Sequence, residues 1–153
     1  QFTNIVLGSY PQPRLRLPGC GGIADVTVRS PRVYLYVPNH SRDVFVEQLD
    51  FVSGLGLPTS GRPGCRPGPR LLISDLGVFD FSPGRMCLRT IHPGASLEKI
   101  RDRTGFDIEI AAETTVVATL YSLAEKGTVG RHLVARALKD LGVDPDKVHP
   151  QIV

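Results

Sequence analysis

The chain has 153 residues, of which 41% are hydrophobic and 22% are charged, and its formal net charge is +3. This length predicts one main hydrophobic core, and the scattered arginines form no basic, aromatic-rich face of the kind that binds nucleic acid. No apolar run reaches the ~18–20 residues of a membrane span, and no secretion signal is recognisable, so a cytoplasmic protein without a membrane partner is expected.

The cysteines do not predict a metal site. Cys20, Cys65 and Cys87 are odd in number and widely spaced. No pair of cysteines or histidines has the spacing that is typical of zinc ligands, so no metal is expected. Reduced thiols are the simplest interpretation.

Two short strands are predicted ahead of a glycine-rich bend. Residues 2–7 are an apolar run, and residues 14–17 alternate polar and apolar side chains. In the bend at 18–22 (PGCGG), glycines permit a sharp turn and leave backbone N–H groups accessible. A helix starts at Gly22 and is expected to be short, because residues 26–28 are β-branched. Such a bend can bind an anion or a developing oxyanion; a plain tight turn is the alternative.

Residues 32–37 (RVYLYV) give the clearest strand of the chain. They are apolar nearly throughout, which predicts a central strand covered on both faces, with Tyr34 and Tyr36 in the core. His40 and Arg42 follow at its carboxyl end, which is a favoured place for ligand contact in α/β sheets.

Residues 44–52 are rich in β-branched and aromatic side chains and are predicted to be a strand. Its two charges, Glu47 and Asp50, are expected to pair with arginines rather than to act as acid–base groups, because buried acids are usually paired.

The remainder of the chain mixes strands and helices and then becomes helical. A Gly/Pro-rich loop at 53–69 is long enough to suggest a cover over a site or disorder. The predicted elements that follow are a strand at 70–74, a hairpin of 78–81 and 85–91 that turns at 82–84, a helix at 97–104 capped by Ser96 and followed by Gly105, a strand at 106–110, helices at 114–126 and 128–141, and a tail at 144–153.

In their order, the motifs of the chain resemble those of the β subunit of family I coenzyme A transferases of the glutaconate type. The resemblance covers residues 3–110 and is to the C-terminal part of such a subunit. The matching motifs are RLPGCGG at 16–22, NHSR at 39–42, FVEQLDFVS at 45–53, SDLGVF at 74–79, HPGASLE at 92–98 and RTGFD at 103–107.

The resemblance implies an α/β fold of the NagB/RpiA/CoA-transferase type. We expect an open, mostly parallel sheet with flanking helices, present as a partial domain over residues 1–110 and followed by a helical C-terminal extension at 111–153. It also implies an α subunit as partner, in a heterodimer or heterotetramer, with the active site between two homologous subunits.

The resemblance further implies a chemistry. In this family a glutamate attacks an acyl-CoA thioester, the resulting anhydride is converted to a glutamyl-CoA thioester, and coenzyme A passes to a second carboxylic acid. This requires a carboxylate nucleophile, donors for the oxyanions and exclusion of water. The nucleophile is expected outside this chain, because in such subunits it lies well upstream of the glycine loop, and Glu47 belongs to a different motif.

No catalytic side chain is therefore assigned, and Gly21 and Gly22 are the candidates for the oxyanion loop. The residues expected to contact coenzyme A or substrate are Gly19, Cys20, Gly21, Gly22, His40 and Arg42.

Single residues keep alternative interpretations. Cys20 is expected to fill the loop rather than to act as a nucleophile. His40 either contacts a ligand or stabilises a turn. Arg42 either meets a phosphate of coenzyme A or a substrate carboxylate, or it pairs with Asp43 or Glu47 at the surface.

Two other functions stay open at this point. Relatives that have lost the glutamate from this subunit hydrolyse a ring-opened CoA ester in steroid breakdown, with water in place of the acid. A non-catalytic fragment or paralogue with an assembly role is the second possibility.

Overall fold

The computed structural model describes residues 1–19, 21–57, 68–81 and 84–142. Cys20, Cys65, most of the predicted loop, two residues of the predicted hairpin turn and the predicted tail lie outside these residues. The chain divides into two compact units, Gln1–Glu109 and Ile110–Val153.

A small two-stranded sheet opens the first unit. β1 (Val6–Gly8) pairs antiparallel with β2 (Pro13–Arg16), close to the two predicted strands. Gly8 has a φ of +87°, and its register shift marks a bulge where a side chain would meet the backbone of Arg14. α1 (Ile23–Arg29) follows the glycine bend and has only seven residues, as its β-branched residues predict.

The main sheet has five strands in the order β3 (Val33–Val37), β4 (Pro69–Ser74), β5 (Gly77–Asp80), β6 (Cys87–Ile91) and β7 (Glu109–Ile110). The expected fold class, an open sheet with flanking helices, is confirmed. The sheet is mixed, however: β3 and β4 are parallel, whereas β4 with β5 and β5 with β6 are antiparallel. The predicted hairpin is the β5–β6 pair.

Among the strands that the structure describes, β3 lies at the edge of this sheet, and the prediction of a central position was wrong. Tyr34 is 51% exposed and Tyr36 is 74% exposed, so these side chains are not core residues either. Apolar composition predicts that a strand needs cover, but the position of the strand depends on which other strands are present.

The predicted strand at 44–52 is absent, and the segment forms turns and irregular structure. Its backbone is paired differently: the N–H groups of Val44 and Phe45 donate to the carbonyl of Ser41, and the carbonyl of Phe45 accepts from Gly105. Phe45 is buried while Val44 is 40% exposed. The segment is therefore held by the buried ring of Phe45 and not by a row of alternate buried side chains.

α2 (Leu97–Arg103) begins as predicted, because the Ser96 side chain accepts a hydrogen bond of 3.1 Å from the backbone N–H of Lys99. Gly105, which follows the helix, does not have a positive φ; glycine is needed there because of a close backbone contact. A Cβ there would lie 2.5 Å from the carbonyl oxygen of Phe45, so the close approach of two backbones excludes a side chain.

The core of the first unit contains the fully buried side chains of Phe79 on β5, Leu88 on β6 and Ile100 on α2. Leu72 and Phe45 are also buried.

The second unit contains two helices, α3 (Ala112–Glu125) and α4 (Arg131–Asp140), which confirms the two predicted helices. Gly127, with a φ of +70°, separates them, and Gly142, with a φ of +64°, follows the second. Val134 is buried, whereas Leu133 and Leu141 are about two-fifths exposed. None of the described helices is long and apolar enough to cross a lipid bilayer.

Candidate functional site

The glycine bend has room on its outer side. Gly19 and Gly21 have φ values of +95° and +45°, which favour glycine, whereas Gly22 has an ordinary φ of −89° and caps α1. Apart from its own chain neighbours, no atom of the described residues lies within 4 Å of a Cβ built on any of the three. The backbone conformation therefore favours glycine at positions 19 and 21. At Gly22, neither the backbone conformation nor crowding by the described residues requires glycine.

Asn4 holds the entry to the bend. Its backbone carbonyl accepts from the N–H of Gly19 at 3.1 Å, and its side-chain amide donates to the carbonyl of Gly19 at 2.9 Å. Ser53 in turn donates its hydroxyl to Asn4 Oδ1 at 2.8 Å and accepts from the Asn4 backbone N–H at 3.0 Å. The sequence interpretation missed this pair, since the partners are 49 residues apart; only the serine, at the end of the FVEQLDFVS motif, carried a signal.

The amide N–H groups of Gly21 and Gly22 donate no hydrogen bond to any residue that the structure describes. A broad open depression of the first unit runs beside the bend, and Pro18 and Ile23 line it. Backbone donors next to open space can receive a carbonyl oxygen or an oxyanion. Cys20, the remaining residue predicted here, lies outside the described part of the chain.

His40 is fully buried in a polar pocket of the first unit. Its ring stacks on Phe45 with centroids 3.7 Å apart and planes at 9°. Nδ1 lies 3.0 Å from Ser74 Oγ, and Nε2 lies 2.9 Å from Thr104 Oγ1. The backbone N–H of His40 donates to Asp75 Oδ1 at 2.7 Å. Every polar atom of the imidazole thus has a protein partner.

The hydrogen bonds around His40 define its tautomer. Thr104 donates its hydroxyl to the Ile100 carbonyl at 2.7 Å, so its oxygen accepts from Nε2–H of His40. Ser74 Oγ accepts from two backbone N–H groups of the following turn, at 3.2 and 3.3 Å, and its hydroxyl has two acceptors in reach: Nδ1 of His40 at 3.0 Å and the Gly77 carbonyl at 3.4 Å. Donation to the nearer acceptor, Nδ1, corresponds to a neutral ring.

The pKa of His40 agrees with a neutral ring. Burial is the main cause that lowers this pKa from 6.5 to about 4; Arg103 acts in the same direction, and the carboxylate of Asp75 opposes them. Of the two interpretations of His40, the geometry favours the structural one.

Arg42 is exposed, and its Nε donates to the backbone carbonyl of Asp102. It forms no ion pair with Asp43, which binds Arg14 at 3.3 Å. Among the described residues, neither Glu47 nor Asp50 forms an ion pair, so their expected pairing with arginines is not found there, and both are exposed.

The predicted site residues thus fall into two groups. His40 and Arg42 form one group at the end of α2: Arg42 binds the carbonyl of Asp102 in its last turn, and His40 binds Thr104, the residue after it. Between the described residues, no hydrogen bond or ion pair joins this group to the glycine bend, although Arg42 lines the same depression as the flanks of the bend. Residues 1–19, 21–57, 68–81 and 84–142 contain no cluster of three His, Cys, Asp or Glu side chains that could hold a metal ion.

The chain is similar to curated proteins of known activity over most of its length. It is 30% identical to the B subunit of 3-oxoadipate CoA-transferase from Pseudomonas knackmussii, with 77% of this chain and 49% of the relative covered. It is 29% identical to the B subunit of glutaconate CoA-transferase from Acidaminococcus fermentans, with 69% and 42% covered. It is 34% identical to the cholesterol ring-cleaving hydrolase IpdB subunit of Mycobacterium tuberculosis, with 73% and 47% covered. The chain spans about half the length of these relatives, and no family model matches it.

Solved structures agree with the sequence similarities. IpdAB from Rhodococcus jostii RHA1 superposes with a TM-score of 0.63 and 27% identity over 70% of this chain and 45% of that one. The decarboxylase AibA/AibB gives a TM-score of 0.55 and 31% identity over 71% and 42%. Glutaconate CoA-transferase from Acidaminococcus fermentans, at 24% identity, shares the fold with a TM-score of 0.61 over 79% and 50%.

Proposed function

Because the chain belongs to the B subunits of the family I coenzyme A transferases, we propose that it builds part of the CoA-ester site of a CoA-transferase. In this proposal coenzyme A moves from an acyl-CoA to a carboxylic acid through a glutamyl-CoA intermediate. The nucleophilic glutamate comes from outside this chain, and an α subunit completes the site. Residues 1–110 carry this role, and no function is assigned to 111–153.

The contribution of this chain is electrostatic. When a carboxylate attacks the thioester carbonyl, the carbonyl oxygen becomes an oxyanion before the thiolate leaves. The N–H groups of Gly21 and Gly22 donate to that oxyanion, and a side chain at either position would hinder its approach. In this proposal Gly19 also contacts coenzyme A or substrate, and Arg42 binds a phosphate or a substrate carboxylate. His40 takes part only by positioning the end of α2.

The observation that carries the proposal is the open space at Gly22. Its φ of −89° suits any residue, and no atom of the described chain lies within 4 Å of the position that a Cβ would occupy, so the fold itself does not require glycine there. A ligand or partner that comes close to the backbone supplies the reason that is missing. The double anchoring of Gly19 by Asn4 supports the same view, because it holds the loop in place before a ligand arrives.

The test compares glycines in the assembled enzyme, with the α subunit and the glutamate-bearing polypeptide present. Gly21→Ala and Gly127→Ala both place a side chain at a positive φ in open space, so each should lower stability by about 1 kcal/mol. We expect only Gly21→Ala to reduce kcat for CoA transfer, by roughly 10²- to 10³-fold, because a displaced loop loses an oxyanion donor.

Equal activity of the two variants would contradict the oxyanion role. Gly22→Ala is the cleaner companion, since it should leave the backbone unchanged and impair transfer by obstruction alone. Turnover by this chain without companions would contradict the external glutamate. If assembled complexes keep full activity and CoA affinity with both substituted loop glycines, the non-catalytic assembly role is the better interpretation.

Hydrolysis of a CoA ester is the second candidate, and the 34% identity to the IpdB hydrolase subunit favours it specifically. The two reactions share the loop and differ in the acceptor, which is water in one case and a carboxylate in the other. Incubating the assembled complex with acyl-CoA in the absence of any acid acceptor distinguishes them: thioester loss at the full rate indicates the hydrolase, and none indicates the transferase.

A further inference from the structure

The segment ahead of β1 connects two parts of the first unit that are far apart in sequence. On one side, the backbone N–H of Phe2 donates to the Gly54 carbonyl at 3.1 Å, and the Phe2 carbonyl accepts from the N–H groups of Ser53 and Gly54 at 3.1 and 3.0 Å. On the other side, the Asn4 carbonyl accepts from the Gly19 N–H at 3.1 Å. The backbone around Ser53 is therefore linked through this segment to the start of the glycine bend.

The side-chain amide of Asn4 is oriented by Ser53. The Ser53 hydroxyl oxygen accepts from the Asn4 backbone N–H at 3.0 Å, and the hydroxyl donates to Asn4 Oδ1 at 2.8 Å. Nδ2 of the amide then faces the Gly19 carbonyl and donates to it at 2.9 Å. In the reverse orientation Oδ1 would face the Gly19 carbonyl oxygen, and two acceptors form no hydrogen bond. Ser53 thus favours the orientation of the amide that binds the bend.

Hydrogen bonds, rather than packing, hold Gly19 in place. Gly19 is exposed, and apart from its chain neighbours no atom of the described residues lies within 4 Å of a Cβ built on it. Its φ of +95° suits glycine, which is the residue with the greatest backbone freedom. Both its N–H and its carbonyl bind Asn4. Without the Asn4 side chain, Gly19 would keep one of these two hydrogen bonds and its peptide groups would rotate more freely.

We propose that Asn4 and Ser53 are positioning residues for the oxyanion loop. Ser53 orients the Asn4 amide, and Asn4 fixes the backbone of Gly19. The N–H groups of Gly21 and Gly22 then keep a constant direction before an acyl-CoA binds. Donors that are already in place need no reorganisation when the oxyanion forms. Neither Asn4 nor Ser53 touches the substrate, and the inference rests on the proposed function of the glycine bend.

The kinetic test uses the assembled enzyme, with the α subunit and the glutamate-bearing polypeptide present. Ser53→Ala should lower kcat for CoA transfer by about 10-fold and Asn4→Ala by about 10²-fold, because a displacement of about 1 Å at a reacting centre has effects of this size. KM for the acyl-CoA should change little, since neither side chain contacts it. Ser53→Thr keeps the hydroxyl and should restore kcat to near the parent value.

A double variant and a control define the route of the effect. If Ser53 acts through the Asn4 amide, adding Ser53→Ala to Asn4→Ala should lower kcat no further. Ser9→Ala is the matched control, because the Ser9 hydroxyl donates to the Gln12 carbonyl at 3.3 Å in the turn between β1 and β2. This variant should have the kcat of the parent. If Asn4→Ala does not fold, the comparison of Ser53→Ala with Ser53→Thr decides alone.

The order of the loop is measured separately from activity, in the full chain without acyl-CoA. The ¹⁵N order parameters of the Gly21 and Gly22 amides should fall in Asn4→Ala and in Ser53→Ala, because the bend loses its attachment. In Ser9→Ala they should equal those of the parent chain.

Two results would overturn the positioning role. One is that the Gly21 and Gly22 amides are as well ordered in Ser53→Ala as in the parent chain. The other is a lower Tm with unchanged kcat in Ser53→Ala while Gly21→Ala is impaired, because Ser53 would then stabilise only the fold. Failure of the proposed function is a different result, namely a kcat that Gly21→Ala itself leaves unchanged.

Discussion

The two faces of the main sheet are built from the same kinds of side chain but have different surroundings. On the inner face, Phe79 and Leu88 have no exposed surface, and Ile100 of α2 is equally buried. On the opposite face, which we call the open face, Tyr34 and Tyr36 remain more than half exposed. Both faces carry large apolar side chains, although Asp80 lies beside Leu71 on the open face, and the two faces differ in what packs against them. An apolar strand composition indicates that both faces of the strand should be buried, but only the packed structure shows whether this chain buries them.

The largest difference between the faces is expected for Phe79→Ala. Removal of this fully buried ring leaves a cavity beside His40 and Phe45, whose rings lie 5.6 and 6.3 Å away between centroids. The free energy of unfolding should fall by about 3–5 kcal/mol. Urea denaturation followed by circular dichroism measures it. A loss below about 1 kcal/mol would mean that the inner face is not the main core of the first unit.

Acid should weaken the inner face through His40. Its pKa of about 4 in the folded chain lies below the ordinary 6.5, so between these values the unfolded chain binds more protons. Stability should therefore fall as the pH drops from about 6.5 to about 4, by a total of about 3 kcal/mol. Urea midpoints over this range measure the loss.

The control for this pH dependence is a pair of glutamine variants. His40→Gln should be less stable at pH 7 and lose this part of the slope, whereas His132→Gln, on the exposed surface of α4, should keep it. If stability depends on pH equally in both variants, groups other than His40 cause the acid sensitivity.

A smaller effect is expected at the start of α2, the helix that carries the buried Ile100. Ser96→Ala removes the side-chain acceptor for the Lys99 N–H and should lower stability by about 1 kcal/mol. Ser96→Asp restores an acceptor and serves as the control, with stability close to that of the parent in thermal melts. If alanine and aspartate behave alike, the cap does not contribute.

The smallest effect is expected on the open face. Tyr34→Thr places another residue of high β-propensity in β3 and removes an aromatic side chain that is already 51% exposed, so stability should change by no more than about 0.5 kcal/mol. A loss comparable with that of Phe79→Ala would show that the open face is covered in the isolated chain, and the contrast between the two faces would disappear.

Local features of the chain were predictable because short-range interactions produce them. The short α1, the capped α2, the β5–β6 hairpin and the two C-terminal helices follow from propensity, capping and turn residues within a few positions of one another. The glycine bend belongs to the same class, since positive φ at Gly19 and Gly21 is a property of the bend itself.

Only the tertiary structure decided the rest, because the partners are distant in sequence. His40 is buried by Ser74 and Thr104, which lie 34 and 64 residues away, and a lone histidine after a strand does not indicate them. The edge position of β3 depends on which strands join the sheet, and the irregular segment around Phe45 depends on the backbone of Gly105. Sequence thus determined the elements that short-range interactions produce and the residues that bend the chain. Long-range packing determined the conformation of 44–52, which side chains are enclosed and which face of the sheet stays open.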